Sequence, residues 1–124
     1  MDAPAEAQVD LGVVRDNVTG LRKHVGAAEL MAVVKSDAYG HGMVPVARAA
    51  LAGGASWLGV IRAAEALELR AAGLTAPVLC LMSVPGGPHA EAIRHDVDPR
   101  PARSGWLPNW RPRRSRPDGR PGCI

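Results

Sequence analysis

Apolar residues recur at spacings of three and four from Leu11 through Val14, Val18 and Leu21 to Val25. That is the period of a helix with one buried face. Asp10 stands just ahead of the run, where its carboxylate can accept from free first-turn amides, and Gly26 just behind it. A helix is therefore expected over residues 11 to 25. Val9 is expected in a short strand before it, and residues 1 to 7 in a loose N-terminus. The period then changes. Leu30-Met31-Ala32-Val33-Val34 is a continuous apolar run rich in valine, as in a strand buried on both faces. Two further runs of this kind come later, "SWLGVI" ending near Ile61 and "PVLCLM" over residues 77 to 82. Helical stretches separate them. "MVPVARAALA" carries Pro45 in its first turn and is closed by Gly53-Gly54. "RAAEALELRAA" carries Glu65 and Glu68 and is closed by Gly73, and "PHAEAIRH" begins a fourth helix.

Strand, helix, strand, helix, strand and helix, joined by short glycine-marked connections, imply a parallel α/β sheet. The expected fold is part of a (β/α)8 TIM barrel, with about three βα units. A doubly wound sheet has the same alternation. In either architecture the chemistry gathers at the C-terminal ends of the strands. Lys35 stands at such an end, between the first apolar run and the segment "SDAYGHG".

The alternation stops near Asp98. "DPRPARSGWLPNWRPRRSRPDGRPGCI" holds six of the eleven prolines and two of the three tryptophans. Proline at that density excludes helix interiors and central strands, so residues 99 to 124 are expected to be an irregular Pro/Arg-rich tail. Charge divides at the same place. Residues 1 to 92 carry 7 Lys/Arg against 9 Asp/Glu, and residues 93 to 124 carry 8 Arg against 3 Asp. The basic balance of +3 thus comes from the tail alone. An abrupt switch to arginine and proline is what a shifted reading frame in a GC-rich gene produces, and such a shift near Asp98 is one expectation. The tail also suggests a second reading, a nucleic-acid-binding module with arginines for phosphates and Trp106 and Trp110 for base stacking.

Other features narrow the classes. With one Tyr, three Trp and no Phe, the core must be built from Ala, Val and Leu. Cys80 and Cys123 form no metal-binding spacing, so no metal site is expected, and a reduced, cytoplasmic setting is the simplest one. No basic start leads into an apolar signal segment. No apolar run approaches the roughly 20 residues of a membrane span, so no membrane partner is expected. Trp57 and Cys80 are expected in the core, and His24, His89 and His95 on helix surfaces. His41 and Asp37 are expected to organise the loop after Lys35.

"VVKSDAYGHG" resembles the pyridoxal phosphate attachment motif of bacterial alanine racemases. The flanks "VDLGVVRDNV", "LMAVVK", "VPVARAALAGGASWLGV" and "EALELRAAGLTAPVLCL" are similar to the N-terminal region of that family, in order, over residues 8 to 98. Ser36 departs from the alanine usual there. The resemblance implies that Lys35 carries pyridoxal 5'-phosphate as a Schiff base and exchanges the α-proton on one face of the substrate. The cofactor supplies the electron sink. An amine at the end of an apolar strand is partly withdrawn from water and easier to keep unprotonated. The resemblance further implies that Tyr39 contacts the cofactor phosphate and that Leu81 lines the cofactor. Gly40 and Gly42 give the backbone freedom to turn beside them.

The same resemblance has implications for a whole enzyme. The family interconverts L-alanine and D-alanine, supplies D-alanine for peptidoglycan, and works as a homodimer whose partner subunit lends a tyrosine as the second base. Tyr39 is the only tyrosine of this chain. A truncated alanine racemase with little activity of its own is therefore expected. A noncatalytic pyridoxal phosphate-binding protein of the same barrel class is a further alternative.

Overall fold

The computed structural model describes residues 4–101. The first helix, α1 (Leu11–His24), starts where the sequence places it. Asp10 Oδ1 accepts from the amides of Gly12 at 2.9 Å and Val13 at 3.1 Å, so the cap offsets the missing first-turn bonds. Its end is tied by Arg22, whose guanidinium donates to Gly26 O at 2.8 Å and Ala28 O at 2.7 Å. Val9 precedes the helix in no regular element and is 40% exposed, so the expected leading strand does not form.

Four strands then alternate with helices. They are β1 (Met31–Val33), β2 (Trp57–Val60), β3 (Val78–Ser83) and β4 (Val97–Pro101). The intervening elements are α2 (Lys35–Gly40), α3 (Met43–Ala52), α4 (Ala63–Ala71) and α5 (His89–Arg94). All strands are parallel, in the order β1-β2-β3-β4. The described strands therefore show no reversal of order, which a doubly wound sheet has at its switch point. A sequential parallel sheet is the arrangement of one side of a barrel.

Register explains where the core sits. Leu58 pairs with Val78, Val60 with Cys80, and Val78 with Val97. These residues and Val34 share one face and are buried against Ala47, Ala63, Ala66, Leu69 and Ala92 of the helices. Alanine on the helix faces lets the helices approach closely, as the scarcity of aromatics requires. The residues between them take the opposite face. There Val33 pairs with Gly59 and Gly59 with Leu79, and Val33 remains 50% exposed.

Helix α1 docks on the end of α3 rather than on the sheet. The contact depends on Gly53, where an added Cβ would lie 2.5 Å from Arg15 O and 2.8 Å from Val18 Cβ. Thr19 Oγ1 donates to Gly53 O at 3.2 Å across the same contact.

Strand β4 extends past the point where the sequence places the start of an irregular tail. Pro99 and Pro101 both lie in it, and Cys80 pairs with Pro99. Among the described residues β4 is an edge strand, and the two prolines have the same parity. Both missing donors thus fall on one side of the strand, while Asp98 and Arg100 keep theirs. The rest of the tail, including Trp106, Trp110 and Cys123, lies outside the described residues.

Candidate functional site

The chain leaves β1 at Val34, whose amide donates to Gly59 O at 2.9 Å. Val34 is 2% exposed, so the strand end is fixed. Lys35 comes next, half-buried, at the C-terminal end of the sheet.

The next four residues turn the wrong way for L-amino acids. Ser36, Asp37, Ala38 and Tyr39 have φ of 55, 53, 51 and 56° and ψ of 45, 36, 42 and 39°. This is a turn of left-handed helix, and its hand costs about 1–2 kcal/mol per non-glycine residue. Gly40 and Gly42 continue at φ 85 and 93°. The sequence suggests an ordinary loop here. Nothing in Ser-Asp-Ala-Tyr announces the hand, because none of the four is glycine.

A strained turn persists only where surrounding bonds over-determine it. Ala38 N donates to Val34 O at 3.0 Å and Gly42 N to Asp37 O at 3.1 Å. Asp37 Oδ1 accepts from Met43 N at 2.8 Å and thereby caps α3. His41 Nδ1 lies 2.7 Å from Ala38 O. Both side chains hold the loop, as expected of them. Ser36 N donates to Glu65 Oε2 at 2.7 Å, which ties the turn to α4.

One left-handed turn brings Lys35 and Tyr39 together. Lys35 Nζ lies 4.5 Å from the centroid of the Tyr39 ring, over its face, where the ring's electron density favours a cation. Tyr39 itself is 74% exposed. Lys35 makes no ion pair among the described residues. Leu81 is not in this pair. It lies half-buried on β3, and β2 separates that strand from the one that carries Lys35. Two strand spacings amount to roughly 10 Å, about the width of a small aromatic cofactor with its substituents.

Sequence reasoning missed Glu65 as part of this site. Its side chain is buried at 5% exposure on the first turn of α4. Oε1 accepts from Arg62 N at 2.9 Å and Ile61 N at 3.3 Å, while Oε2 serves Ser36. The available signal was a glutamate at the third helical position, the acidic half of a capping box. Arg62 in place of Ser or Thr at the cap hid it.

Around the carboxylate the remaining groups are structural. Cys80 Sγ donates to Ile61 O at 2.9 Å and is buried. Burial pushes its thiol pKa up, the neighbouring Ser83 side chain and Met82 backbone pull it down, and the nearby Glu65 charge pushes it up again, for a net rise. Trp57 and Cys80 are core, as expected. His24 and His95 are exposed. His89 is not on the surface: it is 8% exposed, with Nε2 bonded to Val84 O, and so closes the β3–α5 loop. Among the described residues no three His, Cys, Asp or Glu side chains are grouped to hold a metal. No described helix is long and apolar enough to cross a membrane.

Comparison with known proteins matches residues 9–117 to the family model "Alanine racemase, N-terminal domain". The alanine racemase of Beutenbergia cavernae is 60% identical over 98 residues, which cover 79% of this chain and 26% of that protein. The alanine racemase of Thermobifida fusca is 53% identical over the same length. Among solved structures, the alanine racemase of the D-cycloserine producer Streptomyces lavendulae superposes with a TM-score of 0.71 at 55% identity, over 73% of this chain and 24% of that one. The alanine racemase of E. faecalis gives 0.74 at 35% identity, over 81% and 27%. The chain thus spans about a quarter of the length of the relatives it matches.

Proposed function

Because the chain belongs to the alanine racemase family, as part of its N-terminal domain, we propose that Lys35 is the attachment point of pyridoxal 5'-phosphate. The observation that carries this reading is the Lys35 amine at the end of a parallel strand, half-buried, outside any ion pair among the described residues, and 4.5 Å from the Tyr39 ring. An amine so placed suits an aldehyde-bearing cofactor, since no carboxylate competes for it. When bound, the cofactor draws electrons from the α-carbon of an attached amino acid and so loosens its hydrogen.

The chain's own residues then have distinct tasks. Lys35 would hold the cofactor, and its free amine would take or return a proton at one face of the α-carbon. Tyr39, exposed beside it, offers its hydroxyl to the cofactor phosphate. Leu81 supplies an apolar wall on the sheet. The left-handed turn fixes the backbone of Lys35 relative to that of Tyr39, which lowers the ordering left to do when a cofactor arrives.

The substrate proposed is alanine, with L- and D-alanine as the interconverted forms and D-alanine for peptidoglycan as the product's use. The solved alanine racemase of Bacillus anthracis, 42% identical, holds bound L-Ala-P, which supports a ligand of the alanine class. The setting proposed is the cytoplasm, and the assembly a homodimer. Racemisation needs a proton acceptor on each face of the α-carbon. Tyr39 is the chain's only tyrosine and is assigned to the phosphate. Family resemblance implies that a tyrosine of the partner subunit is the second base, so the 124-residue chain alone is expected to racemise little alanine.

The test is the absorbance spectrum of the purified chain with pyridoxal phosphate, beside Lys35→Ala. A long-wavelength band that the substitution removes supports the reading. A band of equal strength in both proteins rejects it.

A further inference from the structure

The residue that orders the Lys35 turn is remote in sequence. We propose that Glu65 is a positioning residue for Lys35, acting through the Ser36 amide. The inference rests on Lys35 being the cofactor lysine and goes beyond it, because nothing about that chemistry requires a glutamate on α4.

The carboxylate divides its two oxygens between two tasks. Oε1 accepts from Ile61 N and Arg62 N and so shapes its own β2–α4 connection. Oε2 reaches across to Ser36 N at 2.7 Å, the shortest of its three bonds. Ser36 is the first left-handed residue and the immediate neighbour of Lys35. The backbone bonds that hold the rest of the turn begin only at Ala38 N. Without Oε2 the Ser36 amide has no acceptor among the described residues, and the first step of the strained turn loses the bond that selects it. A buried ionised acceptor makes a stronger bond than a carbonyl or water. Glu65 is 5% exposed, so water does not compete for the oxygen. The wall behind it is β2, whose Gly59 O also holds Val34 N. Lys35 therefore stands between two anchors, Val34 on the strand and Ser36 on the carboxylate.

Glu65→Gln separates the two tasks. Its carbonyl oxygen can replace Oε1 at Ile61 and Arg62, but its NH2 group then faces the Ser36 N–H, donor against donor. Two readouts on the full chain distinguish the outcomes. In hydrogen exchange, the amides of residues 36 to 42 are expected to open about tenfold or more faster, the equivalent of one bond to a charged acceptor. Leu58 and Val78 amides should keep their protection. In competition labelling with pyridoxal phosphate and borohydride, the yield at Lys35 relative to Lys23 should fall, while Lys23 is unchanged. A uniform rise in exchange at all these amides would make Glu65 merely a stability residue and overturn the proposal, as would wild-type exchange at Ser36 in the variant.

Should the variant not fold, the wild-type chain decides. The Ser36 amide must be protected although its residue is exposed, and exchange at the rate of an open loop overturns the inference. The exchange readouts need no cofactor. A chain in which Lys35 takes no pyridoxal phosphate at all rejects the proposed function while exchange still judges the Glu65 clamp.

Discussion

Four successive left-handed residues raise the energy of the fold, and their cost is concentrated beside Lys35, the lysine proposed to take the cofactor. Of the site, Lys35 was legible in the sequence because an amine after an apolar run is visible without a structure. Tyr39 was legible through its motif. The hand of the turn and the carboxylate behind it were not. Both depend on where α4 lies in space, which no local period encodes. Cys80 carries a pH consequence at the same scale. Its pKa is raised by burial from an ordinary value of 9.0, so the folded thiol stays protonated where the unfolded one has ionised. The folded state then binds more protons, and stability is full below the ordinary thiol pKa and falls as pH rises above it. Urea midpoints measured from neutral pH to above that value should decline, and Cys80→Ala should flatten the decline. A flat profile in the unaltered chain contradicts the assignment.

At the scale of elements, the sequence was readable wherever a single period governed. α1, α3 and α4 begin and end within two residues of the expected places, since Asp10, Gly53 and Gly73 mark them. β4 was lost because Pro99 and Pro101 weigh as breakers, and only the sheet shows that both sit in a strand that is at the edge among the described residues. Two contacts between elements have testable weight. Gly53→Ala puts a Cβ into the α1 backbone, with Arg15 O only 2.5 Å away. A loss of about 1–3 kcal/mol is expected in urea unfolding, as for other overpacked contacts, with faster proteolysis between α1 and β1. Arg70 ties two loops by donating to Leu74 O at 2.9 Å, Ala76 O at 2.8 Å, His95 O at 2.8 Å and Asp96 O at 3.1 Å. Arg70→Met leaves those carbonyls without their guanidinium and is expected to cost about 2 kcal/mol. Unaltered midpoints in either variant would show that these docking contacts add nothing.

The described residues form one side of a barrel wall. Its helix-facing side is filled by Leu58, Val60, Val78 and Cys80, whereas Val33, Tyr39, Met82 and Val84 remain half or more exposed around the strand ends. Exposed apolar surface at this concentration binds hydrophobic dyes. The chain alone is therefore expected to raise the fluorescence of 1-anilinonaphthalene-8-sulfonate, and absence of any rise would mean that this face is covered in solution. The family and the barrel were legible in the chain order, since the alternation and the motif around Lys35 agree. The family match continues to residue 117, beyond the switch in composition near Asp98 where a shifted frame was expected.

The central claim is that Lys35 is the cofactor lysine, and the chain offers its own control because it has only two lysines, Lys23 and Lys35. Lys23 lies exposed on α1. The most direct measurement is peptide mapping by mass spectrometry after borohydride reduction of the chain with limiting pyridoxal phosphate. The expected result is a reduced adduct on Lys35 well in excess of Lys23. Equal labelling of the two lysines, or a preference for the exposed Lys23, would contradict it.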